Sequence, residues 1–390
     1  MPPVYLDNAA STRISDDVLA LMTEVMRTAW GNPSAQHPQG VAARGHIETA
    51  RRRLLAAFGD TAGDGRRGDI VWTSGCTEAD ALAVLGAARV KPGAVVVSAI
   101  EHPAVATLVA QLRPAREAVI VGPGPDGVIE PGAVARAAHG AAVVAIVMVQ
   151  NEIGAVQPVA EIAREVRRAN PGCHIHVDAA QAFGKVVIDV AAIGADSIAI
   201  AAHKLHGPKG IGALWLRTGA ALDPLWVGGG QQGGLRGGTQ DAPAAAALGL
   251  AAERAVAALP EASTRWHALA ARVTAQLTER GAVFRQLVPD HRRSPHILAL
   301  GFPGVPASAL RTVLASRGVY ISTGSACAER DGHGKPSPVL VAIGLPPDAG
   351  MCRLSFGHDT TVDDVDLAAR TLADVALELA ARVKRSGTPG

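Results

Sequence analysis

Short, β-rich apolar runs recur along the first part of the chain and alternate with segments of helical periodicity. The runs are Asp69 to Thr73, Ala94 to Ser98, Ala118 to Gly122, Ala142 to Met148, His174 to Asp178, Ser197 to Ala201 and Gly210 to Leu216. Seven strands with helical crossovers predict an α/β fold built on a mainly parallel sheet. Between them lie amphipathic stretches such as Pro158 to Arg168, with Val159, Ile162 and Val166 on one helical face and proline in the first turn. From about Ala242 the pattern changes to a long alanine-rich helix. Strand and helix signals follow at Pro295 to Phe302, Ala307 to Ala315, Val319 to Ile321 and Cys352 to Phe356, with a terminal helix from about Val362. The expectation is a large domain over 13–255 and a smaller α+β domain formed by 1–12 and 256–390. A chain of 390 residues with 48% apolar content can fill both cores.

Composition removes several function classes. The longest apolar stretches, such as Ala141 to Val149, fall short of the about 20 residues a bilayer span needs, and the first residues lack a signal-peptide pattern. A cytoplasmic protein without membrane contact is expected. A net charge of +2 provides no strong field for nucleic acid, and the short arginine runs at Arg51 to Arg53, Arg66-Arg67 and Arg167-Arg168 read as solvated faces. The cysteines Cys76, Cys173, Cys327 and Cys352 are far apart and form no C-x-x-C pair, which argues against a zinc site or a disulfide framework. No metal is expected.

Ligands of an open α/β sheet bind beyond the carboxyl ends of its strands, and several such ends here carry polar groups. Lys204 follows the run Ser197 to Ala201 and precedes the tight loop Leu205-His-Gly-Pro-Lys-Gly. Lysine is scarce in this arginine-rich chain, and a desolvated lysine, unlike arginine, can lose its proton and attack a carbonyl. Alone, a strand-end lysine is more often a solvated one. The first strand runs into Thr73-Ser-Gly-Cys-Thr-Glu, where a glycine, a hydroxyl and a helix start suit a phosphate; Thr77 is the candidate ligand or an ordinary cap. His102 stands just past the second strand. Asp178 ends the fifth strand, with Gln181 after it, and an acid there can keep a pyridine nitrogen protonated. Asp178 and Lys204 on successive strands supply both halves of a pyridoxal phosphate site.

These pieces, taken with others in the same order, resemble the cysteine desulfurases of the class V aminotransferase superfamily, which are fold-type I pyridoxal phosphate enzymes. The resemblance runs from Tyr5-Leu-Asp-Asn-Ala-Ala to about Val365. Its most specific parts are Trp30-Gly-Asn-Pro-Ser, Thr73-Ser-Gly-Cys-Thr-Glu, Glu101-His-Pro-Ala-Val, Asn151-Glu-Ile-Gly and His176-Val-Asp-Ala-Ala-Gln. They continue with His203-Lys-Leu-His-Gly-Pro-Lys-Gly, Leu235-Arg-Gly-Gly-Thr, Gly324-Ser-Ala-Cys and Arg353-Leu-Ser-Phe-Gly.

The resemblance implies that Lys204 carries the cofactor as a Schiff base, Asp178 pairs with its ring nitrogen and Gln181 approaches its phenolic oxygen. His102 would stack on the ring and relay protons. Thr77, the backbone of Cys76, and His203 would hold the phosphate with Thr239 of a second subunit. Arg353, helped by Asn32 and Asn151, would take the carboxylate of L-cysteine. Cys327 would accept the sulfur and pass it to an acceptor protein. The small, polar context of Cys327, from Ser322 to Pro336, independently suits an accessible thiol better than a buried one. The other three cysteines read as packing residues in strand or turn contexts, although Cys352 adjoins Arg353.

Two departures from the family pattern stand out. Ala201 replaces a serine expected to donate to the phosphate, which predicts weaker cofactor binding. Gln232-Gly-Gly replaces Glu-Arg-Gly, which predicts a looser loop near the site. Alternatives are a selenocysteine lyase or aminotransferase-like relative, for which Cys327 is dispensable, and a scaffold without turnover. The chain also resembles the desulfurases of DNA phosphorothioation systems, and no residue separates that route from iron-sulfur cluster or thionucleoside supply.

Overall fold

The computed structural model describes residues 3–61, 67–112, 116–324, 337–346 and 349–386, the last three without their side chains. The apolar runs form one seven-stranded sheet: β2 (Gly68–Thr73), β3 (Val95–Ser98), β4 (Ala118–Val121), β5 (Val143–Val147), β6 (His174–Asp178), β7 (Ser197–Ala201) and β8 (Gly212–Arg217). β1 (Val4–Tyr5) lies outside it and pairs in parallel with Val319–Tyr320. The sheet order is β2-β8-β7-β6-β5-β3-β4, and only β8 runs antiparallel, to both its neighbours. Strands β3, β5, β6 and β7 are buried along their whole length, as strands covered on both faces must be.

Helices α1 (Asp16–Thr28) and α2 (Pro38–Ala57) pack against the long helix Ala242–Glu279. Small residues permit that approach: a Cβ at Gly249 would lie 2.7 Å from the Cα of Ala50. Helix α3 (Cys76–Val90) covers the other side of the sheet and begins directly after β2.

The long helix serves two cores. Its residues from Ala242 to Ala255 belong to the core of the large sheet, whereas Ala262, Trp266, Leu269, Val273 and Leu277 pack around a second, three-stranded sheet. Pro260, which has no N–H to donate, falls between them. The second sheet joins β9 (Arg285–Gln286), β10 (Ile297–Phe302) and β12 (Gly350–Ser355), with β10 antiparallel to both neighbours and β11 (Val319–Tyr320) paired instead with β1. Val4 and Leu6 are buried in this second core and Ala9 in the first, so the N-terminal segment crosses from one to the other. By length and composition the long helix could span a bilayer, but its apolar residues are largely consumed by these two cores.

The strand order reverses between β3 and β5: the chain leaves β3 for β4 at one edge and returns to β5 on the opposite side of β3. Such a reversal opens a crevice at the carboxyl ends of the strands.

Candidate active site

A cavity of about 600 Å³ fills that crevice, within the size range of small-molecule sites. Its walls come from the ends of five strands: Ser74 to Thr77 after β2, His102 after β3, Asn151 after β5, Asp178 and Gln181 after β6, and Ala201, His203 and Lys204 after β7. The N-terminal segment contributes Asp7 and Ala9 to Ser11. The three-stranded sheet contributes Arg353, with Ser322 and Gly324 beside it.

The end of the cavity that suits a phosphate is the start of α3. Gly75 occupies the cap position and offers no side chain, so the first-turn N–H groups and the positive end of the helix dipole face the cavity. That loop packs tightly on the sheet, since a Cβ at Gly212 would lie 2.6 Å from the carbonyl carbon of Gly75. Thr77 is exposed at the cavity wall, and His203 stands opposite with its Nδ1 3.3 Å from Ser11 Oγ. Burial, with Lys204 nearby, lowers His203 to about 4, so it is neutral. Ala201 is buried at the end of β7 and lines the same wall.

Lys204 donates from Nζ to the carbonyls of Ala9 and Ala10 at 2.6 and 2.9 Å. Burial, reinforced by Arg353, lowers its pKa to about 8, which makes the free amine accessible near neutrality. A second lysine, Lys185, is buried behind it and donates to the Lys204 carbonyl at 2.6 Å. Asp178 accepts the Ala180 N–H at 2.9 Å, and the thiol of Cys76 lies 3.5 Å from the same oxygen. Gln181 donates to the Ala9 carbonyl at 2.6 Å. His102 accepts the Ala104 N–H on Nδ1 at 3.1 Å, which leaves the proton of the neutral ring on Nε2; burial lowers its pKa.

Arg353 is buried with its guanidinium divided between Asp7 Oδ1 at 2.5 Å and the Asn151 carbonyl at 2.6 Å. Its Nε has no partner among the described residues. A cation held in this way beside an open cavity suits a substrate carboxylate. A lysine amine, a buried acid, an uncapped helix start and this guanidinium around one cavity fit pyridoxal 5'-phosphate bearing an amino acid.

Not every residue implied by the resemblance gathers here. Asn32 is exposed, accepts the Ser34 N–H and does not line the cavity, and Thr239 is likewise exposed and outside it. Cys327 lies outside the described residues. The expectation for Cys76 is corrected: it is the first residue of α3, not a turn residue packed among small neighbours, and its thiol faces Asp178 and Asp80. The Gln232 loop is tied down rather than loose. The Gln232 carboxamide pairs with both backbone groups of Trp72 on the edge strand β2, at 2.6 and 3.1 Å, and Arg236 bonds Glu78 of α3 at 2.9 Å. Asp7, the carbonyls of Ala9 and Ala10, and Asp80 escaped the sequence reading. The motif Tyr5-Leu-Asp-Asn-Ala-Ala was the one signal that pointed toward the first two.

A family model for class-V aminotransferases matches residues 4–367. A cysteine desulfurase of Gluconacetobacter diazotrophicus is 35% identical, over 97% of this chain and 94% of its own length. A solved NifS-like protein superposes with a TM-score of 0.87 at 30% identity, covering 97% of this chain and 100% of its own. A structure described as SspA in complex with cysteine gives 0.77 at 30% identity, covering 90% and 98%. The seven-stranded fold, the strand-end constellation and these relatives establish that the chain belongs to the class-V aminotransferase family, among its pyridoxal 5'-phosphate-dependent cysteine desulfurases.

Proposed function

We propose that the chain takes sulfur from L-cysteine with Lys204 as the cofactor-bearing and proton-moving amine, Asp178 as the acid at the ring nitrogen, and Cys327 as the sulfur acceptor. The observation that carries this reading is the convergence of Lys204, Asp178 and Arg353 on one cavity from β7, β6 and the second sheet. When bound, pyridoxal 5'-phosphate supplies the electron sink for the substrate's α-carbon. Arg353 holds the substrate carboxylate, and its ties to Asp7 and Asn151 fix the guanidinium plane. Lys204, with its lowered pKa, removes and returns protons at the α-carbon. His102 carries a proton on Nε2 and can pass it within the cavity. The Cys327 thiolate attacks the substrate sulfur, the carbon–sulfur bond breaks with its electrons left on carbon, and protonation there gives alanine.

The described thiols favour Cys327 as that nucleophile. Burial holds Cys173 at about 11 and Cys352 at about 12, and burial, with Asp178 facing it, pushes Cys76 well up, so all three stay protonated. Asn32 and Thr239 are exposed on this chain, which suits roles completed by a second subunit of a homodimer. The persulfide sulfur passes to an acceptor protein in the reducing cytoplasm. Alanine and sulfide release from L-cysteine with a reductant, measured on wild type and Cys327→Ser, tests the assignment. Loss of sulfur transfer with cofactor retained supports it; normal turnover by the serine variant points to a lyase-type relative that needs no thiol.

A further inference from the structure

Beneath the cavity floor lies a line of buried polar side chains that the reaction above does not use. Asp80 on α3 is fully buried, lines the cavity and places Oδ1 3.1 Å from His176 Nε2. His176 Nδ1 lies 2.9 Å from Ser197 Oγ, which lies 2.8 Å from His174 Nε2. Both histidines sit on β6, and His176 is two residues before Asp178, so their side chains share a face of the sheet.

The hydrogens along such a line can run in either direction, from Asp80 outward or from His174 inward. The surroundings of Asp80 decide between them. A buried carboxyl elsewhere in this fold is well supplied with donors: Asp60 accepts from the N–H groups of Arg67, Gly68 and the Trp215 indole at 2.8, 2.9 and 3.0 Å. Asp80 has nothing comparable. Its Oδ2 has no partner among the described residues, and no arginine or lysine pairs with it. The groups that face it are Cys76 on its own helix, at 3.8 Å, His176 and Asp178 from β6, and Glu101 from the loop after β3. Two of these are acids, and a second or third buried anion beside Asp178 would be strongly unfavourable. Burial, then Asp178 and Glu101, hold the Asp80 carboxyl well above the carboxylate range, while burial lowers His176 to about 3.

We propose that Asp80 is a positioning residue for Asp178: it stands in the floor as a neutral acid donating its proton to His176, so that Asp178 presents the negative charge to the cofactor's ring nitrogen. Cys76 completes the arrangement, its thiol donating toward Asp178 Oδ1. This rests on the assignment of Asp178 made above.

Asp80→Asn preserves shape, neutrality and a donor to His176; Asp80→Ala removes all but neutrality. The difference infrared spectrum of cofactor-free wild type against Asp80→Asn, at neutral pH, should show loss of a carboxylic-acid carbonyl band. Loss of a carboxylate band instead overturns the proposal. Spectral titration with pyridoxal 5'-phosphate should give Asp80→Asn a Kd within about threefold of wild type and Asp80→Ala one about tenfold weaker. Unchanged binding by Asp80→Ala, or equal weakening of both variants, also overturns it. Should Asp80→Ala not fold, the infrared comparison decides alone. Asp178→Asn separates the two readings: if it binds cofactor and turns over as wild type does, the assignment of Asp178 fails whatever the infrared result.

Discussion

Lys185 gives the sharpest test of how this site trades stability for chemistry. It is buried at 4% exposure, pairs with no carboxylate among the described residues, and makes one bond, to the Lys204 carbonyl at 2.6 Å. Burial, with Lys204 nearby, lowers its pKa from 10.5 to about 7. The unfolded chain therefore binds more protons than the folded one between pH 7 and 10.5, so stability rises with pH across that window. At pH 7 the shift costs the folded protein about 4 kcal/mol, and at pH 9.5 only about 1.5. Lys185→Met removes this cost and leaves the Lys204 carbonyl without its donor, a loss of about 1–3 kcal/mol. The variant should be more stable than wild type at pH 7 by about 1–3 kcal/mol, and this advantage should shrink by about 2.5 kcal/mol at pH 9.5. Urea unfolding of the cofactor-free proteins at both pH values measures it. Turnover should fall about tenfold at unchanged KM, because Lys204 loses the contact that fixes its backbone. A pH-independent stability difference, or a variant several kcal/mol less stable at pH 7, would refute the reasoning.

Lys204→Ala should lose the visible band of the bound cofactor, since Lys185 is directed at a carbonyl behind the cavity and cannot replace it; a borohydride-reducible lysine adduct in the variant would contradict this. Ala201→Ser should tighten cofactor binding, because a hydroxyl at the buried end of β7 adds a hydrogen bond to a charged phosphate worth roughly 1.5–3 kcal/mol, or about tenfold to a hundredfold in Kd. An unchanged Kd would mean that the phosphate is already satisfied. His176, at about 3 in the fold, stays neutral while the unfolded chain takes up a proton below pH 6.5, so its share of stability is lost as pH falls through that value. Between pH 6.5 and 4 wild type should lose about 3 kcal/mol more than His176→Gln, read from urea midpoints.

What the sequence reveals is what lies at strand ends. The runs that became β2 to β8 are apolar because both faces of the sheet are covered, and a charged residue that closes such a run must face the crevice; Asp178 and Lys204 are legible for that reason. Partners fixed by long-range register are not. Asp7 meets Arg353 across 346 positions because β1 pairs with β11 and Asp7 bridges Ser355, a coincidence that no local pattern encodes. Asp80 reads as one polar residue on a helix, and only the packing of α3 against β6 brings it to His176. Gln232 looked like the loss of a charged pair, whereas its carboxamide caps the unpaired edge of β2, a role visible only once that strand is known to be the edge. Asn32 and Thr239 show a different limit: a motif can be present while its residues stand outside this chain's own cavity.

The buried polar groups divide along the strands in a way that separates structure from chemistry. At the amino ends, Asp60 is met by three N–H donors, and Asp196 by Arg167, Arg217 and the Ile175 N–H. These acids fix strand starts and are fully satisfied, as a stable core requires. At the carboxyl ends, Asp80 Oδ2, Glu101 Oε2 and Arg353 Nε are buried without hydrogen-bond partners among the described residues, as are Arg51 Nε and Trp72 Nε1 away from the cavity; Glu101 is pushed up to about 8 by burial, and Lys204 is drawn down to about 8. Each unmatched atom costs stability that a fold selected for rigidity alone would recover by an apolar substitution. Asp80, Glu101 and Arg353 stand at or behind one cavity, where the protein keeps charge and protons free to respond to a ligand, and this sets a limit on stabilising mutation at the carboxyl face.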